Sequence, residues 1–168
     1  MVLLLPNPYN YNFDDETHSY HFITKNGIEY KVAFIVDHTF SAVSNIEINN
    51  VFQLIIEKED DGIERYDSQV SETVKDIVAS FFLNSQNSMI YICDDEDSKA
   101  EKRFKVFDRW YQSSTLTDYV FKVDNVIECD SPVGLTTIYS SLLYHNENTN
   151  KEEIIDIYNK IQEILNDK

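Results

Sequence analysis

Glycine and proline are scarce, with three of each in 168 residues. Glycine-rich phosphate loops and turn-dense barrels need backbone at positive φ repeatedly, and three glycines do not supply it. Cysteine is nearly absent. Cys93 and Cys129 each close an apolar run and precede an aspartate, too few for a disulfide framework or a cysteine-rich zinc site. A reducing compartment favours free thiols, which is the expectation for both. Between Met1 and Pro6 stand only four apolar residues, with no basic flank, far short of a secretory h-region or a membrane span. A soluble cytoplasmic chain with no membrane partner is therefore expected.

Positive charge is the other shortage. Fourteen bases stand against thirty acids, a net charge of −16, which repels phosphate backbones and anionic lipid surfaces alike. Nucleic acid is not the default partner. The bases are also clustered: Lys99, Lys102, Arg103, Lys105 and Arg109 share one stretch with Glu101 and Asp108 as its only acids. Five bases less two acids leave +3 there, so the rest of the chain carries −19.

Aromatic residues are abundant, with 11 Tyr, 10 Phe and one Trp, and at this length one domain can bury roughly 70% of its extended surface. Residues 1–168 read as a single acidic α+β domain. Lys25, Asn26 and Gly27 separate two β-rich runs, His18–Thr24 and Ile28–Val36. A three-residue loop with Gly27 left-handed pairs Phe22 with Tyr30, Tyr20 with Val32 and His18 with Phe34, placing the apolar side chains on one face. Val51–Lys58 is a third strand. Val70, Val74, Ile77, Val78 and Phe81 predict a helix over residues 68–83. Met89–Cys93 is wholly apolar, the pattern of a strand buried on both faces and parallel to a neighbour through a right-handed crossover.

A second helix follows over residues 99–112, with Ser98 and Glu101 as a capping box and four acids, Asp94 to Asp97, before its positive end. Tyr119–Val123 and Leu135–Tyr144 are further strands, joined by a polar connection that holds at most a short strand at Val126–Cys129. A last helix, within residues 150–168, caps the core or forms a homodimer seam. The order is β-β-β-α-β-α-β-β-α in a mixed, mostly antiparallel sheet.

Chemistry is best sought where the apolar strand ends. Acids at the carboxyl end of a buried strand lie where open α/β sheets hold ligands and metals. Asp94 and Asp97, with Glu72 from the first turn of the first long helix, make a candidate Mg²⁺ or Mn²⁺ site. The competing reading is charge placed at a helix amino end, which needs no ion. The element order parallels that of ribonuclease-H-like nucleases, in which carboxylates hold two metal ions. His18–Thr24 contains no acid, so one bridging ligand would be missing. Lys99, Lys102, Arg103, Lys105, Arg109, Trp110 and Tyr111 form a candidate binding surface, the bases for phosphate or an acidic groove and the rings for stacking. The alternative is that the bases offset the chain's own acids and Trp110 packs inside.

His18 and His21 fall on opposite faces of a strand, and no zinc site is expected. No nucleophile elbow, phosphate-binding P-loop or H-E-x-x-H helix is present. Four acids after Cys93 would raise its thiol pKa, against a nucleophilic role.

Ile90 to Asp94, followed by Asp97, Arg103, Phe107, Arg109, Trp110 and Tyr111, resembles the central segment of an uncharacterised family of small, Bacteroides-like bacterial proteins, a domain of unknown function. The hairpin at residues 25–32 resembles that family's amino-terminal part, so the resemblance spans about residues 10–112. It implies no activity, substrate or cofactor. Charge and the absence of site motifs favour a non-enzymatic acidic interaction module, an antitoxin-like or inhibitor protein for a basic partner. A metal-dependent nuclease and a DNA mimic are the alternatives.

Overall fold

Ten residues around Gly27 set the first register. In the computed structural model, which describes residues 6–60, 65–93 and 98–166, Gly27 has φ +77, and Thr24 N donates to Ile28 O at 2.9 Å. The loop therefore has three residues, and Tyr20 lies opposite Val32 and Phe22 opposite Tyr30, as the hydrophobic alternation requires. His18 departs from expectation. Its φ of 52 places it in the turn before the strand, so it has no partner in Phe34.

The elements are β1 (Tyr11–Asp14), β2 (Ser19–Ile23), β3 (Glu29–Val36), α1 (Thr39–Val43), β4 (Val51–Lys58), α2 (Ser68–Phe81), β5 (Ser88–Cys93), α3 (Ala100–Gln112), a 3-10 turn (Thr115–Asp118), β6 (Val120–Ser131), β7 (Gly134–His145) and α4 (Lys151–Asn166). All seven strands form one sheet in the order β1-β2-β3-β4-β5-β7-β6. It is an α+β fold, antiparallel except where β5 runs parallel to β4 through the α2 crossover.

Side-chain alternation across the strands divides the interior in two. Phe22, Val32, Leu54, Met89, Tyr91, Cys93 and Leu143 point to the side covered by α2 and α3, where Val70, Val74, Ile77 and Val78 of α2 meet them. Val51, Ile90 and Leu142 point to the other side and pack under Phe40 of α1 and Ile154, Ile157 and Tyr158 of α4. Each fully buried aliphatic or aromatic side chain contributes about 1.5–3 kcal/mol of transfer free energy. Asp67 caps α2 by accepting from Gln69 N at 2.9 Å, a bond worth about 1 kcal/mol.

Aromatic rings build much of the first core: Tyr9, Phe22 and Tyr30 stack in series, and Phe34 stacks on Phe81 with centroids 4.1 Å apart.

Four further features differ from the sequence reading. β1 exists because Tyr11 and Phe13 add to the aromatic face, each touching Tyr20. α1 is a single turn between β3 and β4, too short for periodicity to reveal. The polar stretch after Asp124 is not a connection: β6 runs unbroken from Val120 to Ser131 and pairs with β7 throughout. Partner strand and two-residue turn override its low apolar content. The capping box is also absent. Lys99 is the N-cap of α3, with no side-chain cap hydrogen bond, and Ser98 turns away at φ 58.

Candidate functional site

Of the three residues proposed for metal, the structure describes only Glu72. Asp94 and Asp97 lie outside the described residues. Glu72 is bound by Lys75 at 2.6 Å, with only 17% of its side chain exposed. Lys75 in turn reaches Ser113 Oγ, just past the carboxyl end of α3. Glu72 therefore sits near the carboxyl end of α3, a helix of 13 residues. At the level of Cys93, the neighbouring strand β7 presents Tyr139 rather than an acid. Among the described residues no three His, Cys, Asp or Glu groups cluster closely enough to hold an ion.

The basic surface divides in the same way. Lys102, Lys105 and Arg109 line one exposed side of α3 with Glu101 and Asp108, and Lys99 is exposed at its start. Lys105 pairs with Glu101 at 2.6 Å in an exposed i,i+4 bridge, where solvent screening leaves little stabilisation. Arg103 acts electrostatically on Tyr91. Trp110 and Tyr111 pack against the first core, Trp110 on the ring of Phe107, and neither joins the exposed bases as a stacking platform. Beneath them a cavity of about 30 Å³, lined by Val74, Phe107, Trp110, Leu116 and Leu143, holds little more than a water and is too apolar to bind one well.

What α3 does build is an ion cluster that periodicity does not reveal. Lys122, on β6, has a side chain only 8% exposed. Its Nζ lies 2.8 Å from Asp108 of α3 and 2.6 Å from Asp124, over the rings of Phe104 and Tyr111. Asp124 also accepts from Ser141 Oγ at 2.7 Å. Burial opposes the charge on Lys122, but the two carboxylates outweigh it and its pKa is raised. Tyr91, buried, hydrogen-bonded with Cys93 and stacked on Phe107, has its phenol pushed far up, chiefly by burial.

A second polar chain lies on the β2–β3 hairpin. His21 Nε2 is 2.8 Å from Ser19 Oγ, and its Nδ1 is 3.2 Å from Glu29 Oε1. The order is that of a nucleophile, base and acid, but Ser19 is 0% exposed and also meets Thr17 Oγ1. No substrate reaches it, and the chain ties the hairpin together.

The outer edge of β6 is the most open feature. Its two-residue turn joins the pair Ser131 and Gly134, which makes the odd residues of β6 bond inward to β7. Asn146 N donating to Tyr119 O agrees. Even residues then turn their N–H and C=O outward, and Tyr111 OH takes the outward carbonyl of Val120 at 2.7 Å. Beyond it, from Lys122 to Asp130, no strand among the described residues pairs with the outward groups. The side chains of those even residues are Lys122, Asp124, Val126, Glu128 and Asp130, and all but the buried lysine are exposed. The edge is thus an unpaired backbone bordered by carboxylates.

Residues 66–160, from just before α2 into α4, match the model of a family described as a family of unknown function, DUF6169. The chain belongs to that family. The match takes in α3 and the strand ahead of it, where the resemblance was read, but not the residue 25–32 hairpin, and it continues past residue 112 through β6, β7 and most of α4. The β6 edge and the Lys122 cluster therefore both lie in the matched region. No curated protein and no solved structure matches the chain.

Proposed function

We propose that this protein is an acidic interaction module that binds a basic protein partner by strand addition along β6. The observation that carries the reading is the row of Asp124, Glu128 and Asp130 beside outward backbone groups on a 12-residue strand. Soluble proteins usually blunt such an edge with lysines, bulges or a covering element. Here the one lysine, Lys122, is drawn inward by two aspartates. An added strand with lysine or arginine at alternate positions would place its charges against these acids, and main-chain bonds would supply affinity. The net charge of −16 would speed encounter with a basic partner. An inhibitor or antitoxin-like role for a basic target fits this surface, and the exposed bases of α3 are not needed for it.

The test uses the tagged chain and two variants in pull-downs from its native cells. Glu128→Pro removes one outward N–H while leaving the inward ladder to β7 intact. The pair Glu128→Lys and Asp130→Lys reverses the charge. A partner retained at low salt, released as salt rises and lost with both variants supports the reading. Retention of nothing, or equal retention by the charge-reversed chain, sinks it.

A further inference from the structure

The outward positions of the β6 edge are not alike, and their order gives the edge a direction. Asp124 is already neutralised within the chain, by Lys122 Nζ at 2.6 Å and a hydrogen bond from Ser141 Oγ at 2.7 Å. Glu128 and Asp130 are not. Their cross-strand neighbours on β7 are Thr137 and Leu135, neither of them a base, and both acids are exposed. Between the neutralised acid and the two open ones stands Val126, 53% exposed. Its neighbour on β7 is Tyr139, whose ring lies 5.3 Å from that of Phe104 on α3. The aromatic cover of the first core thus reaches the sheet edge at Val126, where an aliphatic side chain meets solvent between carboxylates.

From Asp130 back to Asp124 the edge presents a carboxylate, a carboxylate, an apolar side chain and a neutralised carboxylate. Directly opposed residues of paired strands put their side chains on the same face, so each position meets one residue of an added strand. α3 sets where that strand stops: Tyr111 OH occupies the outward carbonyl of Val120, and Asp108 binds Lys122. A slip of one residue would turn the partner's side chains to the other face. A slip of two, in either direction, would set its aliphatic residue against a carboxylate.

We propose that the β6 edge selects an antiparallel segment of the form basic-x-basic-x-aliphatic, with its bases opposite Asp130 and Glu128 and its aliphatic residue opposite Val126. This selection rests on the strand-addition reading and adds to it the order, phase and direction of the partner. Antiparallel pairing lets each outward residue exchange both backbone bonds with the residue it opposes, and is the more stable arrangement per residue. Opposite charges and apolar pairs facing one another both stabilise such a ladder. Opposite Asp124 no base is called for, because Lys122 supplies one.

The experiment is backbone NMR titration of the full chain at about 0.15 M salt with four peptides. Acetyl-Lys-Thr-Lys-Thr-Val-Thr-Thr-amide carries the proposed order, and acetyl-Thr-Thr-Val-Thr-Lys-Thr-Lys-amide its reverse. Acetyl-Lys-Lys-Thr-Thr-Thr-Thr-Val-amide has the same composition out of phase, and acetyl-Lys-Thr-Lys-Thr-Lys-Thr-Thr-amide replaces the valine with a third base. The first should shift amides within residues 122–130 and bind at least about fivefold more tightly than its reversed and out-of-phase forms. Val126→Glu should move the ratio of affinities for the first and fourth peptides at least about fivefold toward the fourth. Val133→Glu, which adds the same charge at the exposed turn, should not. Equal binding of the reversed or out-of-phase peptide on residues 122–130, or equal effects of the two glutamate variants, overturns the selection and leaves strand addition standing. Shifts only elsewhere, or none with any peptide, overturn both.

Discussion

Replacing Lys122 with Met probes the ion cluster that fastens α3 to the sheet edge. Methionine has a similar length and keeps the apolar contact with Phe104 and Tyr111, so the change isolates the charge. It leaves Asp108 and Asp124, each with a side chain 42% exposed, facing one another without a counter-ion. Removing one partner of a fully buried pair costs about 3–5 kcal/mol, and an exposed pair is worth about 0.2–1 kcal/mol. A buried lysine between half-exposed acids falls between those limits, at about 2 kcal/mol. For a chain of this size that corresponds to a Tm lower by about 4–8 °C. Urea unfolding followed by circular dichroism measures it. Adding Asp108→Asn and Asp124→Asn to Lys122→Met should restore most of the loss, because groups in one network do not act additively. The pKa of Lys122 is raised in the folded chain, so its contribution is complete below the unfolded lysine value of about 10.4 and fades as pH rises through the higher folded value. A loss under about 0.5 kcal/mol, or a triple variant less stable than the single one, would refute this account.

Two other outcomes follow from burial. Cys129 is partly exposed and Cys93 buried, so a thiol reagent should label one cysteine in the native chain and the second only as the chain unfolds. Rapid labelling of both would contradict the packing of β5. The phenols of Tyr11, Tyr91 and Tyr111 have raised pKa values, in each case with burial as the largest cause. Ultraviolet titration should therefore find these three un-ionised at pH about 10, where a free tyrosine is half ionised. Raised folded values mean that their stabilisation is full below that pH and lost above it, and early ionisation of Tyr91→Phe-sensitive absorbance would argue against its stacking beneath α3.

Local pattern carried much of the fold. Alternation in residues 18–36, together with the demand for positive φ at Gly27, determined the hairpin register, because a one-residue slip would turn the aromatic face to water. Period-3.6 stripes placed α2, α3 and α4, and the all-apolar Met89–Cys93 identified the strand that runs parallel to β4. Net charge likewise follows from composition alone. Tertiary structure decided the rest. β6 is a full-length strand because β7 supplies a partner along its whole length, a fact its polar sequence does not carry. Lys122 is buried because α3 brings Asp108 over it from 14 positions earlier in the chain. Even the openness of β6 is a property of which strands lie side by side. Sequence sets which face of a strand is apolar, but neighbours in space determine which backbone groups are left without partners.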